Sequence, residues 1–414
     1  MKIKGLLLVA ISVLFVASST TLYGCGQSHR HVFGYNCNSE SHWLECDCGE
    51  IKEKSEAQHR FADGVCRTCS TEEMVAGLEF SRVKKGGETG YHVKSYKGSE
   101  KNVEIPLQVC GKPVTGVAYK AFSGCSQVEK IILPDTALFF GDYAFENCTS
   151  LKYFEENGFL YIGSTVNPYH YLAKSTNDTI TSVTIKDGVK FVGTDAFYYH
   201  KLLREANIPK SVVGFAKGAF EGCKEMPLKD VEFKANYLGT ADDWAQIYFS
   251  EPSSNPIFYS KKLYLNGKLI KDLVLTTPEI SQYSFFDCDF ETLTLAEGVE
   301  VIGKSAFQAC NYYISKPNYV YYFTSLTLPS TLTTIEHSAF RNCSNLKNIT
   351  MPKSVVKIGT HAFANCHDLG LFYYEGTTKD WKAIALGYGW TFGAERLSQV
   401  RCDDGIVAIA RGAE

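Results

Sequence analysis

Residues 339–352 read AFRNCSNLKNITMP, and variants of this stretch of fourteen residues recur along the chain. Its opening tag, Ala-Phe-x-x-Cys, returns with few substitutions and often at a step of 23 residues, as from Phe340 to Phe363. Self-similarity at such a period is typical of repeat architectures. The tag phenylalanines are Phe122, Phe145, Phe197, Phe220, Phe285, Phe307, Phe340 and Phe363.

The second half of the stretch alternates apolar and variable residues, as in Leu346-x-x-Ile349-x-Met351. A period of two predicts a short strand with one face turned inward. A Pro often closes the strand, and a Val-x-x-Ile-Gly step follows, in which Gly359 suits a sharp turn. Because no single turn can bury its apolar face, the turns must stack into one elongated core. We therefore expect a solenoid over residues 76–414.

Cysteine fills the last tag position in seven turns, and His200 replaces it once. Repeated positions stack with the same orientation, and an odd number of thiols cannot all pair. We interpret them as reduced, buried residues that act as small apolar groups, with disulfides as the alternative. The seven are Cys125, Cys148, Cys223, Cys288, Cys310, Cys343 and Cys366.

The pattern Ile-Gly-x-x-Ala-Phe-x-x-Cys-x-x-Leu-x-x-Ile-x-Leu-Pro, which recurs in register with substitutions, resembles the BspA-type leucine-rich repeats of bacterial surface proteins. The resemblance covers roughly residues 100 to 406. It implies a leucine-rich-repeat solenoid, mainly β with short helical turns, and a surface adhesin or ligand-binding lipoprotein.

Insertions interrupt the regular step. Residues 158–174 alternate aromatic and turn residues, which predicts a hairpin at the edge of the solenoid. Two further segments place Asp three residues after Thr, at Thr240 and Thr377. This spacing resembles a capping box, so each segment should begin a short helix whose Trp packs on the solenoid.

The first 24 residues read as a lipoprotein signal peptide. Lys2 and Lys4 precede the apolar run of residues 6–16, which is too short for a comfortable transmembrane span. The following Leu-Tyr-Gly-Cys resembles a bacterial lipobox, which implies lipidation at Cys25. An ordinary signal peptide with a coincidental Cys is the alternative. We expect an exported protein held at the bacterial membrane or cell surface by a lipid anchor only.

Residues 25–75 form a Cys/His-rich module and linker, with too little apolar sequence to fold alone. Zinc prefers thiolate and imidazole ligands and would supply the missing stability. We expect Cys66 and Cys69 to bind it with Cys46, and Cys48 or His59 to complete the set. Two disulfides are the alternative.

The remaining features favour binding over catalysis. With 42 basic and 45 acidic residues the chain carries a net charge of −3, which gives no footprint for nucleic acid. Residues 298–305 match a phosphate-binding loop, but each residue already has a repeat role. The chain contains no His-Glu-x-x-His or Gly-x-Ser-x-Gly motif. We therefore predict a protein that is not an enzyme.

Exposed positions of the strand row should form an extended binding face. Protein or glycan ligands on a host or neighbouring cell suit its mixed charge and aromatics, whereas a passive envelope scaffold or a polysaccharide-binding accessory module are alternatives. The residues of this predicted face are Glu129, Lys130, Lys152, Tyr153, Arg204, Glu205, Lys347, Asn348 and Tyr373.

Overall fold

The structure is a computed structural model, and it describes residues 31–409 except 32, 39, 47–49, 63–64, 72–73, 86–87, 224–232 and 311–322. The fold is a leucine-rich-repeat solenoid built mainly of short strands, as the repeat predicts. Each turn contributes one longer strand, one two-residue strand and one tag to three parallel rows.

The first row contains the longer strands, and its outward side chains alternate with buried ones, as in Asp272–Leu275. Successive strands pair in parallel, so that Ile349 lies beside Phe372 in the next turn. The strands of this long-strand row are Asn102–Glu104, Lys130–Ile132, Ser182–Thr184, Glu205–Ile208, Lys234–Tyr237, Leu263–Leu265, Asp272–Leu275, Thr292–Leu295, Ser325–Thr327, Asn348–Pro352, Leu371–Glu375 and Gln399–Cys402. Antiparallel strands Lys268–Leu269 and Gly405–Ala408 end two of its sheets.

The second row is formed by the Val-x-x-Ile-Gly steps, which give mostly two-residue parallel strands. It contains Glu88–Tyr96, Lys112–Val117, Phe139–Phe140, Tyr171–Ser175, Phe191–Val192, Gly214–Phe215, Tyr248–Phe249, Glu279–Ile280, Val301–Ile302, Thr334–Ile335, Lys357–Ile358 and Ala385–Leu386. Leu78–Lys85 covers its first strand, and Gln108–Val109 forms a hairpin with Lys112–Val117. The phosphate-loop-like residues 298–305 include Val301–Ile302, an ordinary member of this row.

The glycine that ends each step has a different role from the one expected. A Cβ at Gly359 would lie 2.5 Å from the backbone of Glu336, and one at Gly303 would lie 2.5 Å from the Ile280 carbonyl oxygen. Neither glycine has a positive φ angle. Glycine is therefore required there because neighbouring turns approach closely, and the expectation of a sharp turn was wrong at this position.

The tags form the third row, which hydrogen bonds hold together. In one tag the backbone amides of Ser338, Phe340 and Asn342 donate to the carbonyls of Thr360, Ala362 and Ala364 in the next turn, at 2.8–2.9 Å. Within the tag, the Arg341 and Cys343 amides donate to the Ser338 and Phe340 carbonyls and close successive four-residue turns. Backbone hydrogen bonds therefore join each tag to the tag of the next turn.

This geometry needs left-handed backbone at two positions of most tags. The residue before Ala and the residue before Cys have positive φ in that example, at Ser338 (57°) and Asn342 (63°). A turn with positive φ at its third residue favours Gly or Asn there. This explains why Gly124, Gly222, Asn147 and Asn365 precede the tag cysteines.

Gly124 offers a clean test of this requirement. Its φ is +78°, and an added Cβ would meet nothing within 4 Å, so Gly124→Ala changes only backbone strain. We expect the free energy of unfolding to fall by about 1 kcal/mol, measured by urea denaturation. Gly370→Ala is the matched control, because its nearest neighbour lies at 3.9 Å and its φ is not positive. Equal effects of the two variants would contradict the role assigned to the left-handed position.

The tag side chains build the centre of the core. Consecutive phenylalanine rings stack almost parallel, with centroids 5.3 Å apart for Phe307 and Phe340 and 5.4 Å apart for Phe340 and Phe363. The tag cysteines lie beside this spine, and the Cys343 and Cys366 thiols each donate to a Phe carbonyl of the preceding turn at 3.2 Å. Cysteine thus fills a small apolar space and bonds successive turns.

The insertions match the sequence prediction. Short α-helices span Ala241–Ala245 and Thr378–Ala383, each begins with the predicted capping box, and Trp244 and Trp381 are buried. Two further single-turn helices are Pro252–Ser254 and Ile257–Ser260. The predicted hairpin is confirmed: Phe154–Glu156, Phe159–Ile162 and Tyr171–Ser175 pair antiparallel, and the last strand joins the second row.

The N-terminal module packs against the first turns of the solenoid. Strands Phe33–Cys37, Ser41–Cys46 and Ala57–Gln58 form one antiparallel sheet, and Phe61–Ala62 pairs with Val65–Cys66. The Tyr91 hydroxyl donates to the Tyr35 carbonyl. The module is therefore anchored on the strand Glu88–Tyr96, which opens the second row.

Candidate metal centre and binding face

Four nitrogen and sulfur ligands converge within the N-terminal module. The ligand atoms of His42, His59, Cys66 and Cys69 all lie within 4.8 Å of one another. His42 Nδ1 is 3.5 Å from His59 Nδ1 and 4.0 Å from Cys66 Sγ, and His59 Nδ1 is 3.5 Å from Cys69 Sγ. We call these four residues the metal centre.

Local pairing brings the four together. His42 lies on the strand Ser41–Cys46 and is matched with Ala57, so the chain returns His59 to the same end of the sheet. Cys66 and Cys69 flank a tight turn in which the Ser70 amide donates to the Cys66 carbonyl at 2.9 Å. Three of the four side chains are buried, and His59 is half-buried.

The donor set fits a tetrahedral metal ion such as zinc. Bonds of about 2.0–2.3 Å imply ligand separations of roughly 3.3–3.8 Å. The 3.5 Å contacts already match this range, and pairs as far apart as 4.8 Å would close by about 1 Å on binding. His59 Nε2 donates to the Asn38 carbonyl at 2.9 Å, which leaves Nδ1 free to face the metal. The four residues can therefore hold a metal ion.

The Cys66 thiol is prepared for metal binding. Burial raises its pKa, but hydrogen bonds from the Cys69 amide and the His59 side chain outweigh this effect and lower the pKa to about 5. The thiolate is the form that binds metals.

The structure brings three of the predicted zinc ligands together and separates a fourth from them. It brings together His59, Cys66 and Cys69, whereas Cys46 lies outside the metal centre and His42 stands in its place. The two residues share a strand but lie four positions apart, a distance of about 13 Å. Cys48, like Cys25, lies outside the described residues.

His42 was missed because the sequence contains no spacing rule for it. Its neighbours Ser41 and Trp43 do not resemble a metal motif. The signal that selects it is the strand register, which pairs it with the segment just before His59.

At its N-terminal end the predicted binding face is occupied by ion pairs between turns. Glu129 binds Lys101 at 2.7 Å and Lys152 at 2.6 Å. Hydrogen bonds and charge from these two lysines lower the pKa of Glu129 to about 2. Lys130 is exposed beside them. A ligand here would compete with existing partners of the carboxylate.

In the middle of the predicted face, fewer side chains are available to a ligand than the sequence predicted. Tyr153 is half-buried and packs against the core, because it shares the inward side of the chain with Leu151, two residues earlier. Arg204 turns back to donate to the carbonyls of Lys201 and Leu203, and Glu205 pairs with Lys234 at 2.9 Å. The expectation that Tyr153 projects outward was wrong.

The predicted residues in the C-terminal part of the face are all exposed, namely Lys347, Asn348 and Tyr373. The parallel register places Leu371 beside Asn348 and Arg401 beside Tyr373, and Leu371 and Tyr373 are each 36% exposed. Leu371 and Arg401 are thus neighbours that the sequence analysis did not select. We call Lys347 and the outward side chains of the strands Asn348–Pro352, Leu371–Glu375 and Gln399–Cys402 the C-terminal strand face.

Other aromatic residues are distributed unevenly. In the hairpin, Tyr161 and Tyr171 are buried and offer no binding surface. Near the C-terminus of the tag row, Tyr388 is 58% exposed and Phe392 50% exposed. Both rings lie against His361, with centroid distances of 6.0 and 6.4 Å.

Within the described part of the chain, no helix has the length and apolar character needed to cross a membrane.

No curated protein matches the sequence.

Several solved bacterial structures are similar to this chain at low identity. One is a leucine-rich cell surface protein from Faecalibacterium prausnitzii (20% identity, 74% of this chain and 97% of that chain, TM-score 0.30). Another is the pneumococcal vaccine antigen PcpA (16% identity, 79% and 86%, TM-score 0.33). A third is the leucine-rich repeat protein TpLRR of T. pallidum (16% identity, 70% and 87%, TM-score 0.24).

The family model described as the BspA-type leucine-rich repeat region matches in six copies, at residues 96–226, 170–244, 261–366 and 315–383. These matches cover more than half of the 414-residue chain. They fall on the turns whose tags, short strands and long strands are described above. The chain therefore belongs to the family of BspA-type leucine-rich repeat proteins.

Proposed function

We propose that this protein is a non-enzymatic surface protein that binds a protein or glycan ligand through its C-terminal strand face. The observation that carries the proposal is the parallel stacking of Asn348–Pro352, Leu371–Glu375 and Gln399–Cys402. Strands about 4.8 Å apart align their outward side chains in files, which forms a continuous surface.

The chemistry of this face suits a macromolecular ligand. Tyr373 and Leu371 supply apolar area, while Arg401 and Asn348 supply hydrogen-bond donors. Tyr and Arg are enriched among residues that dominate binding energy. In the N-terminal strands Glu129 and Glu205 are held in ion pairs between turns, whereas Tyr373 and Asn348 each make a single hydrogen bond, to Asp403 and Ser325. These contacts favour the C-terminal end as the binding region.

We also propose that the chain is exported, that Cys25 carries the lipid anchor and that zinc in the metal centre has a structural role. The donor set of two imidazoles and two thiolates closes the tetrahedron. A structural zinc site is closed in this way, whereas a catalytic site keeps a position open for water or substrate. Zinc would thus stabilise the module that separates the anchor from the solenoid.

Binding is tested with the mature chain on arrays of extracellular proteins and glycans, followed by titration of any ligand found. Truncating a central residue of a binding face often costs 2 kcal/mol or more, so we expect the Tyr373→Ala, Arg401→Ala double variant to weaken binding by at least about 30-fold. Tyr388→Ala is the matched control, because it removes an exposed tyrosine from the tag row.

The outcomes separate the candidate functions. Saturable binding that only the double variant loses supports the proposed face. Equal losses in both variants, or loss in Tyr388→Ala alone, would place the ligand elsewhere. A folded chain that binds nothing on either array would favour the envelope scaffold, and binding confined to polysaccharides would favour the accessory module.

A further inference from the structure

A second group of thiols adjoins the metal centre at the junction with the solenoid. The Thr71 hydroxyl is fully buried and lies 3.3 Å from Cys37 Sγ, 3.1 Å from Cys69 Sγ and 3.5 Å from Cys110 Sγ. Cys37 and Cys69 belong to the N-terminal module, whereas Cys110 belongs to the solenoid. We call these three cysteines and Thr71 the junction cluster.

Cys110 occupies an unusual position. It forms, with Gly111, the two-residue turn between Gln108–Val109 and Lys112–Val117. Both turn residues have positive φ, 51° and 67°, which is the geometry that favours Asn-Gly or Gly-Gly. A cysteine there is backbone-strained, and strain of this kind is concentrated at functional sites.

The module fixes this strained turn. The Cys110 amide donates to the Thr71 hydroxyl at 3.0 Å, so Cys110 is tied to the module through its backbone as well as its side chain. Its thiol and the Cys37 thiol both contact the Thr71 hydroxyl, at 3.5 and 3.3 Å, so the two sulfurs are neighbours across this hydroxyl. Cys37 is fully buried at the end of Phe33–Cys37, whereas Cys110 is partly exposed.

We propose that Cys37 and Cys110 are a redox pair that forms a disulfide and covalently joins the N-terminal module to the solenoid. The proposal rests on the export proposed above, since disulfides persist in oxidising compartments. It needs an oxidant of the small-molecule disulfide class.

The reaction is two thiol–disulfide exchanges. The partly exposed Cys110 thiolate attacks a sulfur of the oxidant, forms a mixed disulfide and releases one thiol. The buried Cys37 thiolate then attacks the Cys110 sulfur, closes the protein disulfide and releases the second thiol. Two electrons pass from the protein to the oxidant, and the two protons lost by the cysteines appear on the released thiols.

Other cysteines of the chain are less suited to this reaction. Cys69 also lies 3.5 Å from His59 Nδ1, and a metal ion would hold its thiolate. The thiols of Cys343 and Cys366 in the tag row donate to backbone carbonyls. Cys37 and Cys110 lie outside the metal centre, and they approach each other from different parts of the fold.

Peptide mapping of the full chain tests the pair directly. The protein, produced with its own export signal, is equilibrated in buffers of varying glutathione disulfide to glutathione ratio, quenched in acid and alkylated. Digestion with trypsin and a glutamyl endopeptidase separates Cys37 from Cys46, because Glu40 and Glu45 lie between them. Zinc content is measured on the same samples.

We expect one cross-linked peptide joining Cys37 to Cys110, two hydrogens lighter than the sum of its parts, with unchanged zinc content. Cys110→Ala should abolish the link and leave Cys37 alkylated, and Cys343→Ser should leave the link intact. The peptide map of the wild-type protein shows whether the disulfide between Cys37 and Cys110 forms, even if a variant does not fold.

Three results would overturn the proposal. One is alkylation of both Cys37 and Cys110 as free thiols at every ratio. Another is a link from Cys110 to Cys69 accompanied by loss of zinc. The third is a second equivalent of zinc per chain that requires Cys37 and Cys110. Failure to find a ligand for the C-terminal strand face would not change the outcome of the peptide map or of the zinc measurement.

Discussion

Phe340→Ala is expected to lower the free energy of unfolding of the solenoid by about 3–5 kcal/mol, the usual effect of removing a buried phenylalanine. Phe340 is fully buried and stacked between Phe307 and Phe363, with interplanar angles of 8° and 2°. The variant therefore loses two aromatic contacts in addition to buried area, and each such contact contributes about 0.5–1.5 kcal/mol.

The position of Phe340 also determines which turns of the solenoid the substitution destabilises most. A repeat contacts chiefly its neighbours, so a weakened interface divides the stack into separately unfolding parts. Phe363 lies 6.3 Å from Trp390, ring to ring, and Trp390 is 5.6 Å from Trp381. The fluorescence of these two tryptophans should therefore report unfolding of the C-terminal turns at lower urea than the circular dichroism of the whole chain.

Phe392→Ala provides the matched control, since Phe392 is half exposed and lies outside the stacked spine. We expect its free energy of unfolding to change by less than about 1 kcal/mol. The spine would lose its assigned role if the two alanine variants had the same denaturation midpoint, or if Phe340→Ala unfolded in one step at an unchanged midpoint.

Removing zinc is expected to unfold the N-terminal module while the solenoid remains folded. Structural zinc contributes about 10–16 kcal/mol of apparent binding free energy in small zinc domains, and a module of this size has little core of its own. Strong chelation should release one equivalent of zinc per chain. Trp43 lies on the module strand Ser41–Cys46, so its fluorescence should change while the far-ultraviolet circular dichroism of the repeats persists.

Two variants of the same strand identify the ligands. His42→Ala should abolish stoichiometric zinc binding, because it removes one of the four converging atoms. Cys46→Ser should retain zinc, because Cys46 lies at the far end of the strand although it is equally well buried. Replacement of zinc by cobalt provides the readout: sulfur-to-cobalt absorption should persist in Cys46→Ser and disappear in Cys66→Ser. Zinc loss in Cys46→Ser, with retention in His42→Ala, would contradict the assignment of His42 as a ligand of the metal centre.

The repeating part of the fold was determined by the sequence, because a repeat states the same local requirement many times. The recurrence of Phe340 and Phe363 predicted the stack, the alternation after Leu346 predicted the strands, and Thr240 and Thr377 predicted the helix starts. Each of these signals spans a few residues, and its partner is the equivalent residue of the next turn.

Features without repetition were decided by tertiary structure. Only the antiparallel register selects His42 over Cys46, and only the approach of neighbouring backbones explains Gly359. Cys37 and Cys110 lie far apart in the sequence and meet because the module docks on the first hairpin of the solenoid. Their proximity depends on long-range pairing and packing, which local residue patterns do not encode, whereas the solenoid turns depend on contacts between neighbours.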